Sequence, residues 1–83
     1  MIQFEYLVCS VQQNHVTFVN GRWQGKLSPR APGALETCPK LWGFLKDVGN
    51  AGWELVSVTT EGESGPNITL TTFYLKREKF TQA

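Results

Sequence analysis

Ile2, Phe4, Tyr6 and Val8 alternate along the chain with Gln3, Glu5, Leu7, Cys9 and Val11. A period of two predicts a strand, and a second half that is apolar on both sides predicts that the strand lies inside a sheet. After Gln12-Gln13-Asn14, the β-branched and aromatic run His15 to Val19 meets Asn20-Gly21, and Arg22-Trp23-Gln24 returns. Asn-Gly between two such runs is the strongest short-range hairpin signal, so a small extra β-hairpin is expected here. Gly25 to Ala34 carries Pro29, Pro32 and Gly33 and reads as an exposed loop.

The period then changes. A helix is expected to begin near Thr37-Cys38-Pro39, with Thr37 or Cys38 as its cap, because Pro is tolerated in a first turn where its missing donor is not needed. It runs to about Ala51. At about 100° per residue Leu41, Phe44, Leu45 and Val48 form one apolar stripe flanked by Trp42, with Gly43, Lys46, Asp47 and Asn50 opposite. Gly52 is the expected stop, since a residue that closes a helix in the left-handed region is usually Gly. Trp53 then stands where a Schellman closure would bring it against Val48.

From Trp53 to Thr60 the period of two resumes with apolar residues on both faces, Glu61 to Pro66 forms a polar connection, and Asn67 to Lys76 reads as a last strand. Lys76-Arg77-Glu78-Lys79 lead into a tail that is expected to be solvated. The fold class is therefore α+β: an antiparallel or mixed sheet of three main strands plus the extra hairpin, one helix on one face, in the order ββ(β)αββ. If the strands flanking the helix run parallel, the last strand fits between them, antiparallel to both.

Composition narrows the picture without naming a reaction. A single domain of 83 residues, 41% hydrophobic and 12% aromatic, can order a core. A net charge of +1 is too little to indicate nucleic acid or an anionic membrane as a partner from charge alone. No run approaches the roughly 18 apolar residues of a membrane span, and the start at Met1 has no secretion-signal pattern, so a cytoplasmic protein is expected. Cys9 and Cys38 lack metal-type spacing and read as reduced thiols.

Phe4-Glu5-Tyr6, the segment Gly49-Asn50-Ala51-Gly52-Trp53-Glu54-Leu55-Val56-Ser57-Val58 and the closing Phe73-Tyr74-Leu75-Lys76-Arg77 resemble the small bacterial and phage proteins called domain of unknown function 4177. Gly-Trp-Glu-Leu-Val is the most specific part. Shorter members lack the hairpin around Asn20-Gly21 and the Pro-rich loop. The resemblance implies a fold and no catalytic residue.

The sequence assigns no catalytic, cofactor-binding or metal-binding residue, and it points away from an enzyme. His15 is the single histidine, and no partner for a triad or a metal site stands beside it in sequence. Cys38 at a helix start could feel the helix dipole, but on the wheel it lies inside the apolar edge, where burial makes a thiol inert. A small-molecule pocket, or a thiol-dependent active site, would form among His15, Trp23 and Cys38 if the Pro-rich loop folds back. Arg22, Lys26 and Arg30 with Phe18 and Trp23 are the nearest approach to a single-stranded nucleic-acid surface, and three cations spread over a loop are commonly a solvated face. Glu54 needs a donor if buried, Arg77 or a helix-terminus amide, and otherwise reads as a cross-strand-paired acid.

The leading expectation comes from area. One helix about 10 Å across covers about two strands at 4.8 Å spacing, so much of the apolar sheet needs another cover. Depending on parity, the bare face holds most of Leu7, Cys9, Val11, Val56, Val58, Phe73 and Leu75. A homo-oligomer, a dimer first, that joins through its sheet and serves as a binding or scaffold module follows from that mismatch.

Overall fold

In a computed structural model that describes residues 1–62 and 69–79, five strands form one antiparallel sheet with a helix on one side. The strands are β1 (Gln3–Gln12), β2 (His15–Val19), β3 (Arg22–Trp23), β4 (Glu54–Gly62) and β5 (Thr69–Lys79), and the helix α1 is Leu41–Asn50. Their order across the sheet is β3-β2-β1-β5-β4, so β5 lies between β1 and β4 and is antiparallel to both. That is the split arrangement the sequence raised only as a conditional option, with the strand order left open; the α+β class with one helix on the sheet is as expected. The polar connection was expected from Glu61, but Glu61 and Gly62 close β4; its remaining residues, 63–66, and the strand start at Asn67 lie outside the described residues.

Local chemistry explains the joints. Asn20 and Gly21 both have positive φ, 49° and 81°, the geometry of a type I′ hairpin whose twist matches the strands. Asn20 also extends the pairing: its Oδ1 accepts from the Val8 N–H at 2.8 Å and its Nδ2 donates to the Tyr6 carbonyl at 3.4 Å. Gln13 and Asn14, at φ 47° and 63°, make a second tight turn between β1 and β2 without any glycine. At the helix end, Gly52 has φ 96°, Trp53 N–H donates to the Val48 carbonyl and Gly52 N–H to the Gly49 carbonyl, both at 3.0 Å. These two bonds complete the expected Schellman closure.

The helix start departs from expectation. Pro39 precedes the helix and does not sit in its first turn; the cap residue is Lys40, with extended backbone and no side-chain cap bond. Leu35–Thr37 form a separate 3₁₀ turn, and Thr37 Oγ1 donates to the Ala34 carbonyl while it accepts from the Lys26 and Leu27 amides. The chain between is held to the sheet: Val16 N–H donates to the Pro39 carbonyl and Leu41 N–H to the Asn14 carbonyl, each at 2.8 Å. Competition from these backbone partners shortens the helix to ten residues, about 15 Å. A second correction concerns the end of the last strand, expected at Lys76: β5 runs on to Lys79, so that Lys76 to Lys79 pair opposite Gln3 to Tyr6, and the expected tail beyond lies outside the described residues.

Parity is settled by the register. Leu7, Leu75 and Leu55 are directly paired, as are Cys9, Phe73 and Val58, so these share a face, and it is the face under the helix. Cys9, Val11, Val16 and Leu75 are buried there, packed by Leu7, Phe73, Leu41, Phe44, Leu45, Val48 and Trp53. The expectation that Leu7, Cys9, Val11, Phe73 and Leu75 form the bare face is therefore corrected: the helix covers them. In the second half of β1 the odd-numbered side is apolar (Leu7, Cys9, Val11), whereas the even side ends in Ser10 and Gln12, so covering the odd side there strands fewer polar groups. No helix residue is fully buried, and the helix leaves β4 uncovered, with Leu55 48% and Val58 44% exposed. Val56, the extra residue of a bulge between Leu55 and Ser57, is also exposed.

Candidate functional site

Two surfaces carry what the fold leaves unpaired. The first is the sheet face away from the helix. Phe4, Tyr6 and Val8 follow one another along β1, Tyr74 stands directly opposite Val8 on β5, and Phe18 stands opposite Ser10 on β2. Tyr6 is 59% exposed, and Phe4, Val8, Phe18 and Tyr74 are between 36% and 42% exposed. Phe18 meets the Trp23 ring edge-on at 5.4 Å, and the Lys76 ammonium lies 4.7 Å from the centre of the Phe4 ring. Ser10, Thr72, Ser57 and Glu54 lie beside this row on the same face by register, so an aromatic stripe is flanked by polar positions. The Lys76–Glu54 pair at 3.8 Å gives Glu54 its cross-strand partner.

The second surface is an open cleft of about 560 Å³ at the start of the helix, lined by Asn14, His15, Lys40, Leu41, Trp42 and Leu45. His15 is held there by its own ring: Nδ1 lies 3.0 Å from the Cys38 carbonyl oxygen. A carbonyl can only accept, so a neutral imidazole donates from Nδ1 and leaves Nε2 as its free acceptor. Trp42 is 76% exposed at the lip, which leaves most of an indole in water.

The expected pocket among His15, Trp23 and Cys38 does not assemble. Trp23 turns away, donating from Nε1 to the Leu27 carbonyl at 2.8 Å and packing where Gly25 has no side chain. Cys38 is buried, with Sγ directed at the Ala34 carbonyl, and burial, followed by the nearby Glu36 carboxylate, pushes its thiol upward. Cys9 is pushed further, from 9.0 to about 11, by burial. Neither thiol has the depressed pKa or the exposure of a nucleophile. Arg22, Lys26 and Arg30 are all exposed on the β3 edge and the following loop.

Arg77 lies opposite Glu5, not beside Glu54. It donates from Nη2 and Nε to Glu5 Oε2 at 2.7 and 2.9 Å and from Nη1 to the Ala51 carbonyl at 2.9 Å, and its guanidinium lies 4.4 Å from the Trp53 ring centre. This cluster ties the helix end to the sheet. Among the described residues no helix is long and apolar enough to cross a membrane. No protein-family model, curated protein or solved structure matches the chain. The likeness drawn from Phe4-Glu5-Tyr6, the Gly49 to Val58 segment and Phe73 to Arg77 rests on those residues alone.

Proposed function

We propose that the chain is a non-enzymatic domain that self-associates through the sheet face away from the helix and acts as a binding or scaffold module. The aromatic stripe of Phe4, Tyr6, Val8, Phe18 and Tyr74 carries this reading. From their exposures and the 150–250 Å² of an aromatic side chain, the stripe leaves on the order of 400 Å² per copy. Adding the exposed Ile2 and the polar flank, two copies face to face would bury roughly 1,000 Å², the lower bound of a specific interface. Sheets pack face to face at about 10 Å, a spacing that interdigitated aromatics fill.

A dimer is the simplest closed form, since one self-complementary patch suffices for a two-fold contact. Val56 and Val58, exposed on β4, stand outside this stripe and are a separate candidate contact. Two free, buried thiols suit a reducing compartment, and the cytoplasm is our reading of location. Light scattering at two micromolar concentrations tests the proposal. The expected mass is at least twice 9.3 kDa, and Tyr6→Glu, which places a charge in the stripe, should return it to the monomer. A parent protein that stays at 9.3 kDa at both concentrations would defeat the reading.

A further inference from the structure

We infer that the cleft between the β1–β2 turn and the helix start is a binding site for a small planar aromatic carboxylate. Small-molecule sites are typically concave, about 300–1,000 Å³, mostly apolar and furnished with a few convergent polar groups. This cleft holds about 560 Å³, with Leu41, Leu45 and the Trp42 ring as apolar wall and His15, Lys40 and Asn14 as the polar groups.

Each group sets a term of the ligand. The Trp42 indole, 76% exposed, offers a flat face against which a second ring can stack. Lys40 brings a positive charge to the same cleft, and no described carboxylate pairs with it. An anion is the complement of a compact ammonium, and a carboxylate attached directly to a ring keeps charge and stacking surface within one cleft of this size. His15 has its Nδ1 engaged by the Cys38 carbonyl, so the ring is fixed in orientation and Nε2 is left to accept from a hydroxyl or amine substituent on the ligand. The walls are also fixed. Leu41 N–H is bonded to the Asn14 carbonyl and Val16 N–H to the Pro39 carbonyl, which joins the turn to the helix start by backbone. The site shares no residue with the aromatic sheet stripe, so it stands or falls independently of self-association.

The test is an amide and imidazole chemical-shift titration of the intact chain with 2-naphthoate, alongside its neutral counterpart 2-naphthylmethanol. Saturable shifts at Asn14, His15 and Leu41 to Leu45 are expected, with the neutral compound at least tenfold weaker. Lys40→Ala should remove most of the preference for the acid, and Trp42→Ala should weaken both compounds at least fivefold. Both side chains are exposed, so these variants should keep the parent's circular dichroism and melting curve. Shifts that do not saturate, or that centre on Phe4, Tyr6 and Tyr74, would overturn the proposal. So would equal binding of the neutral compound, or a Trp42→Ala variant that changes solution mass while leaving the naphthoate titration untouched. That last outcome would make the cleft a subunit contact.

Discussion

Replacing Arg77 with Ala removes three contacts at once, and the structure gives a size for each. The guanidinium makes two hydrogen bonds to Glu5 Oε2, one to the Ala51 carbonyl at the helix end, and stacks on Trp53. The Glu5 and Arg77 side chains are 38% and 35% exposed, so the ion pair is screened and contributes about 0.5–1 kcal/mol. A cation on the last carbonyls of a helix adds about 0.3–1 kcal/mol. Stacking on a partly exposed indole adds about 0.5–1 kcal/mol. Together Arg77→Ala should cost about 2 kcal/mol, a fall in Tm of roughly 8–16 °C for a domain of this size. Urea unfolding followed by circular dichroism measures it, at one fixed protein concentration because self-association would shift the midpoint. Arg77→Lys should recover less than half, since an ammonium cannot span a carboxylate, a carbonyl and a ring face together. Glu5→Gln combined with Arg77→Ala should show a coupling of about 0.5–1 kcal/mol. A loss below about 0.5 kcal/mol for Arg77→Ala, or full rescue by Lys, would refute the assignment of Arg77 as the tie between sheet and helix end.

Three further outcomes follow from geometry already described. Gly25→Ala would place a Cβ 2.6 Å from Trp23 Cζ2 and 2.7 Å from Thr37 Oγ1, so the loop must move, and a loss of about 1–3 kcal/mol in urea unfolding is expected. Asn20→Ala removes both side-chain bonds to β1 and puts a Cβ-bearing residue without local hydrogen bonding at φ 49°; about 1–2 kcal/mol should be lost, with Asn20→Asp between it and the parent. Cys9 titrates near 9.0 when unfolded and about 11 when folded. The unfolded state therefore releases this proton first: stability is unaffected below about pH 9, falls between 9 and 11, and levels off above. Cys9→Ser should flatten that decline in midpoint-against-pH curves.

Punctuation residues made part of this fold legible in sequence. Gly52 with Trp53 and Val48 marked the helix end, and Asn20-Gly21 marked the hairpin, because each signal lies within a few residues. The helix start was not legible in the same way. Pro39 is compatible with a first turn, and only the distant Val16 and Asn14 backbone groups pull that stretch into an extended path. The parity of β1 was equally closed to local reading: both sides are apolar, and where the helix lands decides which is covered. The cleft joins His15 to a helix start twenty-odd positions away, which no spacing rule detects. Trp42, an indole at the flank of the apolar stripe, was the one local hint.

The place of β5 has a consequence for how the chain comes to be folded. During synthesis β1, β2 and β3 can zip up from neighbouring residues as two tight hairpins, but β4 is made with nothing to pair with. Only when β5 arrives and slides between β1 and β4 does the sheet become one piece. Until then the β1–β2–β3 ribbon waits with an open edge and β4 as a lone strand, a geometry that can recruit another chain. Slow capture of Thr69–Lys79 between β1 and β4 should therefore favour aggregates over yield.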